Sequence, residues 1–340
     1  MIGLLLINLG TPEDPEAGPV REYLREFLND PRVLDINPLG RAALLNVILR
    51  TRPKKSSNAY KQIWTGDGSP LMVHSRALTA KVRARMANHD WVVELGMRYG
   101  QPSIQSAIDT LIKHDVDQIV VFPLYPQYAA SSTGTALEEV YRICAPAWNV
   151  IPLHVVSPFY RDPGFIDSFI DISRPLFETF KPDHILFSYH GLPERHLKKS
   201  DPNGSHCLAE ASCCDHIVAA NKHCYRAQCY ATTRALVSQL NLEAKNFSVS
   251  FQSRLGRTPW IKPHTDVILP QLAASGIKRL AVFCPSFVAD CLETLEEIAI
   301  RGAEQFQSSG GEALILVPSL NSSDRWVETV CTLAQHATPK

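Results

Sequence analysis

Short runs of Val, Ile and Leu recur along the chain, spaced so that a helix fits between most of them. They are Ile2–Leu9, Val92–Tyr99, Gln118–Tyr125, Val150–Pro158, His184–His190, Phe247–Gln252, Arg279–Pro285 and Ala313–Pro318. Most are nearly continuous apolar stretches rather than alternations, the pattern of parallel strands covered on both faces. Between them lie helical periods. In Gln101–His114, Ile104, Ile108, Leu111 and Ile112 share one face, with Asp109 and Lys113 outside it. Strands alternating with helices predict an α/β protein with a parallel sheet and right-handed crossovers. Eight strands exceed what one small sheet needs. Two doubly wound halves are therefore expected, with the break near Ala145–Val150, where Pro146 and Asn149 interrupt the pattern.

Composition narrows the class. Of 340 residues, 45% are hydrophobic and 20% charged, an ordinary globular mix of about two domains. Lys+Arg and Asp+Glu both number 34, and a net charge of zero argues against a nucleic-acid binder. The apolar run Gly3–Ile7 is too short to span a membrane and lacks the basic start of a signal peptide, so a cytoplasmic location is expected. Nine cysteines in a long cytoplasmic chain argue against a disulfide framework.

Ligands of open parallel sheets bind beyond the carboxyl ends of the strands. There the sequence places Met97-Arg98-Tyr99-Gly100, Tyr125-Pro126-Gln127-Tyr128 with Ser131-Ser132-Thr133-Gly134, and Ser188-Tyr189-His190-Gly191-Leu192-Pro193. Two later ends carry Gln252-Ser253-Arg254 and Ser286-Phe287-Val288-Ala289-Asp290-Cys291-Leu292-Glu293. The Ser/Thr/Gly cluster reads by itself as a helix cap. Arg98, His190, Arg254, Asp290 and Glu293 are expected to converge on one crevice. A strand-end His followed by Gly-Leu-Pro is a candidate base, because the turn aims the ring. Glu293 and Glu297, spaced i, i+4, share a helix face: a solvated acidic face, or a carboxylate path for protons or metal cations.

The segments Leu6–Pro12, Gly66–Leu71, Val121–Gly134, Ser188–Pro193, Phe251–Asp266 and Phe287–Glu297 resemble the ferrochelatases, over about Ile2 to Val317 and in the expected order. The stretch Ser253-Arg254-Leu255-Gly256-Arg257-Thr258-Pro259-Trp260 is the most specific part. That family inserts ferrous iron into a porphyrin, releasing two protons, in the last step of haem synthesis. The resemblance implies two Rossmann-like domains of the chelatase type with a porphyrin cleft between them. The first would comprise residues 1–148 plus about 312–340, the second 149–311. His190, Glu293 and Glu297 would be catalytic, with His190 and Glu293 also meeting the substrate iron. Leu9, Arg98, Tyr99, Tyr125, Ser132, Trp260, Phe287 and Asp290 would line or brace the porphyrin site. Leu9 stands where the coproporphyrin branch has Tyr, which points to protoporphyrin IX. The alternatives are a coproporphyrin enzyme, a cobalt chelatase for a related tetrapyrrole, or a non-catalytic haem or metal binder. An imidazole, ordinarily titrating near ~6.5, is a competent base at neutral pH. Carboxylate and imidazole ligands can replace the waters of ferrous iron stepwise.

Two segments stand apart. Cys207, Cys213, Cys214, Cys224 and Cys229 crowd into an insertion of about residues 200–229, the signature of a soft-metal site. No C-x-x-C pair favours zinc. The resemblance implies a 2Fe–2S cluster held by four of the five, as in a minority of bacterial ferrochelatases. The cysteine that the animal enzymes place after Tyr-Pro-Gln-Tyr is Ala130 here. Leu39–Lys55 carries an apolar stripe edged by Arg41, Arg50, Arg52, Lys54 and Lys55. It reads equally as a core-facing helix with a basic rim or as a transient contact with the inner face of an anionic membrane.

Overall fold

The computed structural model describes every residue except Leu255, Arg257, Pro339 and Lys340. Its eight strands are β1 (Ile2–Gly10), β2 (Trp91–Tyr99), β3 (Gln118–Pro123), β4 (Leu153–Val155), β5 (His184–His190), β6 (Phe247–Gln252), β7 (Arg279–Phe283) and β8 (Ala313–Leu316). They form two four-stranded sheets, ordered β2-β1-β3-β4 and β6-β5-β7-β8. Every pairing is parallel. The two sheets thus repeat one order, as two doubly wound halves should. In the first, Leu4, Leu5, Leu6 and Ile7 of β1 are fully buried, as are Ile119, Val120, Val121 and Phe122 of β3. Such strands need cover on both faces, which explains their unbroken apolar runs.

The helix Ile104–Lys113 supplies part of that cover. Ser103 caps it by accepting the amide of Ser106. Ile104, Ile108 and Leu111 pack on Leu5, Ile7, Ile119 and Val121. Ile112, expected on the same face, is exposed. At 100° per residue it sits at the edge of the stripe that the other three centre. In the second sheet Leu186, Leu280 and Val282 pack with Leu269, Ile298 and Phe306.

The chain forms two compact units. One comprises Met1–Tyr125, Ala129–Ser157 and Asn321–Lys340, the other Pro126–Tyr128 and Pro158–Leu320. The strand Ala313–Leu316, expected to return to the first domain from about residue 312, instead pairs with β7, so the second unit keeps the chain to Leu320. Among the described residues no helix is long and apolar enough to cross a membrane.

Candidate active site

In the first unit the strand ends carry a closed polar network. Gly10 ends β1 at φ +110°, where an added Cβ would lie 1.8 Å from the carbonyl oxygen of Tyr99. Only glycine lets the ends of β1 and β2 approach so closely. Tyr99 is fully buried, and its hydroxyl donates to Asp30 Oδ2 at 2.9 Å. Arg98 Nη2 donates to the same oxygen at 2.8 Å, and Arg98 Nε donates to Thr135 Oγ1 at 2.7 Å and to the Thr135 carbonyl. The Thr135 hydroxyl donates to Asp30 as well. Burial pushes the Asp30 carboxyl up. Hydrogen bonds from Thr135, the Arg32 amide and Tyr99, with the charge of Arg98, more than offset this and hold it below the usual aspartate range. Burial, then the neighbouring Asp30 charge, pushes the Tyr99 phenol well up. Asp30 is the anchor of this set, and no motif pointed to it.

The other sequence-derived positions of the first unit are looser. Leu9 is partly exposed at the end of β1, its amide turned onto the Asn8 side chain at 2.9 Å. Ser132 lies in a π-helical turn, Ala130–Gly134, with its hydroxyl 3.4 Å from the Ala129 carbonyl. Tyr125 is held differently. Its hydroxyl is buried with no hydrogen-bond partner, as is that of Thr133. A buried unsatisfied hydroxyl costs about 1–3 kcal/mol.

In the second unit the groups are held but not closed off. His190 ends β5, opposite Gln252 of β6. A Cβ on Gly191 would meet the Gln252 carbonyl oxygen at 2.7 Å, so this turn also requires glycine. His190 Nδ1 lies 2.6 Å from the Gly191 carbonyl oxygen. A carbonyl only accepts, so Nδ1 carries the proton and Nε2 of the neutral ring presents its lone pair. The ring meets Phe287 edge-on at 6.3 Å between centroids. Gln252 braces the centre: its side-chain oxygen accepts from Ser188, and its amide donates to the Glu293 carbonyl at 2.7 Å. Ser253, at φ +66°, gives its amide to Glu297 Oε1 at 2.9 Å and its hydroxyl to Oε2. A serine at positive φ is strained, and here the strain aims two donors at one carboxylate.

Glu293 lies in the helical turn Leu292–Thr294, and Glu297 in the π-helix Leu295–Gly302 that follows. Burial pushes the Glu297 carboxyl above the usual glutamate range. The Ser253 hydrogen bond and the His190 charge draw it back, and Glu293 adds to the rise. The three groups are thus electrical neighbours, as the sequence implied. The Cys291 thiol is hydrogen-bonded to Glu293. Asp290 is buried, accepting the Thr294 hydroxyl at 3.0 Å and the Ser319 amide at 3.2 Å. Trp260 bridges to Pro193 and packs over Gly191. Arg254 turns away from this set to pair with Asp266 at 2.6 Å, both half exposed. Leu255 and Arg257 of the specific segment lie outside the described residues. Gln252 and Ser253 carry roles that spacing alone did not assign. The positive φ of Ser253 is the signal, and it appears only in the backbone.

The cysteine-rich insertion has no regular structure until helix Tyr225–Leu240 begins after Cys224. Cys207, Cys213, Cys214 and Cys224 line one small cavity beside His206 and Asn221. Their thiols form a chain: Cys224 is hydrogen-bonded to Cys207 and Cys214, and Cys213 lies 3.7 Å from Cys214. Asp201 holds the loop by accepting the amides of His206 and Cys207. Cys229 is not on this cavity; it is fully buried, hydrogen-bonded to Tyr225. Among the described residues, no three His, Cys, Asp or Glu side chains are grouped to hold a single metal ion.

Paired doubly wound units, with a tautomer-fixed histidine and carboxylates at one set of strand ends, define a protein of the metal-chelatase class. Two solved structures share the fold: the sirohydrochlorin chelatase SirB of Bacillus subtilis subspecies spizizenii in complex with cobalt (TM-score 0.56, 9% identity, 99% of this chain and 94% of that one), and SirB of Bacillus subtilis with Fe3+ (TM-score 0.52, 13% identity, 79% and 92%). The ferrochelatase family profile matches residues 1–338, and the chain belongs to that family. Its sequence is 47% identical to the ferrochelatase of Coxiella burnetii strain Dugway 5J108-111 over 336 residues, 98% of this chain and 93% of that one. It is 47% identical to that of Azotobacter vinelandii over 98% of both chains, and 45% identical to that of Pseudomonas fluorescens SBW25 over 98% and 97%. The activity is insertion of iron into a porphyrin in haem biosynthesis.

Proposed function

We propose that the porphyrin is protoporphyrin IX and that the two departing pyrrole protons leave through His190. The Nδ1 contact with Gly191 carries this reading, because it leaves Nε2 as a base. Glu297 is the next acceptor: burial inclines its carboxyl to hold a proton, and it feels the charge of His190. Glu293 takes the place of a water on the incoming ferrous ion, while His190, whose Nε2 holds the ring's one free lone pair, accepts the protons. Each turnover consumes one ferrous ion and one free-base porphyrin and yields haem and two protons. Tyr125 and Ser132 contact the macrocycle, as do Leu9, Trp260 and Phe287, while Arg98, Tyr99 and Asp290 brace the walls through their own hydrogen bonds. His190→Ala is expected to lose about 10²–10⁴-fold in iron insertion. Porphyrin binding, followed by fluorescence quenching, should persist. Undiminished insertion by this variant overturns the role.

Leu9 supports protoporphyrin because an apolar side chain suits vinyl groups and a tyrosine suits carboxylates. Anaerobic assays offering protoporphyrin IX and coproporphyrin III separately test this. Faster metallation of coproporphyrin contradicts it.

The thiol cavity suits a 2Fe–2S cluster. Such a cluster asks for two thiolates on each iron rather than three ligands on one ion. Two ligands on a tetrahedral iron stand about 3.7 Å apart at a metal–sulfur distance of ~2.3 Å, and the Cys213–Cys214 spacing is 3.7 Å. Cys207, Cys213, Cys214 and Cys224 would hold it, and Cys229 would not. When bound it supplies a one-electron redox centre and ties the insertion together. Protein isolated anaerobically should contain acid-labile sulfide and absorb as an iron–sulfur protein; stoichiometric zinc in its place contradicts the assignment.

Exposed Leu39, Leu44 and Val47, beside Arg41 and Arg50, support peripheral contact of helix Pro38–Ile63 with an anionic membrane surface from the cytoplasmic side. Flotation with anionic liposomes should carry the protein upward, and its absence there would contradict the contact.

A further inference from the structure

Two of the thiols on the cavity are contacted by a cation with no matching anion. Arg226, in the first turn of helix Tyr225–Leu240, sends Nη1 to Cys214 Sγ at 3.3 Å and to Cys213 Sγ at 3.9 Å. Its guanidinium lies over the Tyr230 ring at 4.9 Å, with Nη2 3.4 Å from the Tyr230 hydroxyl. Nε is buried without a hydrogen-bond partner. Arg226 is half-buried, and no carboxylate among the described residues pairs with it. A second cation, the exposed Arg234, donates from Nη1 to the Cys214 carbonyl at 3.3 Å. Asp201, the acid on the cavity wall, is turned to the backbone amides of the loop. A guanidinium stacked in place against thiols, with nothing to neutralise it, is arranged for an anion at that spot.

We infer that Arg226 is the charge partner of the anion bound at this cavity and raises the reduction potential of a cluster held by Cys207, Cys213, Cys214 and Cys224. The inference rests on the cluster reading above. A 2Fe–2S centre on four thiolates carries two negative charges when oxidised and three after taking up one electron. A fixed positive charge beside the Cys213 and Cys214 sulfurs stabilises the trianion more than the dianion, and hydrogen bonds to sulfur act in the same sense. Tyr230 holds the guanidinium over the sulfurs by cation–π contact. The consequence is regulatory. The electron affinity of the insertion is set by one side chain outside the ligand set.

The test is a dithionite titration of the anaerobically isolated holoprotein, followed by visible absorption and electron paramagnetic resonance, on wild type, Arg226→Gln and Arg226→Lys. Arg226→Gln is expected to take up a full cluster but to reduce at a lower potential. Arg226→Lys should fall between it and wild type, because charge is kept while the stacked double donor is lost. If Gln reduces at the wild-type potential with its cluster intact, the inference fails while the cluster stands. Should Gln fold but lose its cluster, retention by Lys supports the charge role and equal loss by Lys overturns it. Wild-type protein without sulfide or iron–sulfur bands overturns the cluster and, with it, the role of Arg226.

Discussion

Asp30 in the first unit accepts from Arg98, Tyr99 and Thr135 at once, whereas His190 in the second spends one ring nitrogen on Gly191 and leaves the other without a protein partner among the described residues. Both sets stand at strand ends of sheets with the same order. The first is closed: each charge is neutralised within it, and the Asp30 carboxyl is held ionised. The second is open: burial pushes the Glu297 carboxyl the other way, toward keeping a proton. Closed networks fix shape and open ones exchange protons. On the proposed function, the contrast separates residues that build the site from residues that work in it.

The largest effect expected is on the closed network. Asp30→Asn leaves the Arg98 guanidinium buried without its anion and should cost about 3–5 kcal/mol in urea unfolding. Activity per folded molecule should change little. A fall in activity with stability unchanged would make Asp30 part of the chemistry. Glu297→Gln keeps the Ser253 contact in shape but removes the proton acceptor. It should slow insertion about 10²-fold with no loss of stability near neutral pH.

The two carboxyls should also answer pH with opposite signs. The Asp30 pKa is lowered in the folded state, so its stabilisation is present above the ordinary aspartate value of ~3.9 and is lost as pH falls through the folded value. The Glu297 pKa is raised, so its stabilisation is present below the ordinary glutamate value of ~4.3 and is lost as pH rises through the folded value. Unfolding wild type against each neutral variant across the acid range reads both slopes; equal signs would erase the distinction. The smallest effect is that of Tyr125→Phe. Removing an unpartnered buried hydroxyl should be neutral or stabilising by up to about 1 kcal/mol, while weakening porphyrin binding if that hydroxyl serves the ligand. A clear loss of stability would mean the hydroxyl is bonded in the free protein.

The central strands were legible because parallel strands buried on both faces must be apolar throughout, as β1 and β3 are, whereas β6 alternates with serines and β4 and β8 are only half-buried, so these three were read from their place in the alternation with helices. The order of the chain through the units was less so. An apolar β8 reads the same whichever sheet it joins, and only its pairing with β7 decides. At the site, His190, Glu293 and Glu297 were named from their spacing and from the family resemblance, and the structure makes them neighbours. Arg98 also stood out, but the sequence could not show that Asp30, 68 residues away, would occupy its guanidinium. Gln252 and Ser253 act through an amide and a strained backbone angle, neither of which residue type reveals. The thiols were visible as a cluster, yet the exclusion of Cys229 depends on where helix Tyr225–Leu240 turns it.

On the proposed function, chemistry belongs to the open set and architecture to the closed one. Single-turnover iron insertion into pre-bound protoporphyrin IX, measured side by side on His190→Ala and Arg98→Lys with the folded fraction determined for each, tests it most directly. His190→Ala is predicted to hold porphyrin but insert iron about 10²–10⁴-fold more slowly, and Arg98→Lys to insert at nearly the wild-type rate per folded molecule. Wild-type insertion by His190→Ala, or collapse of insertion in fully folded Arg98→Lys, would contradict it.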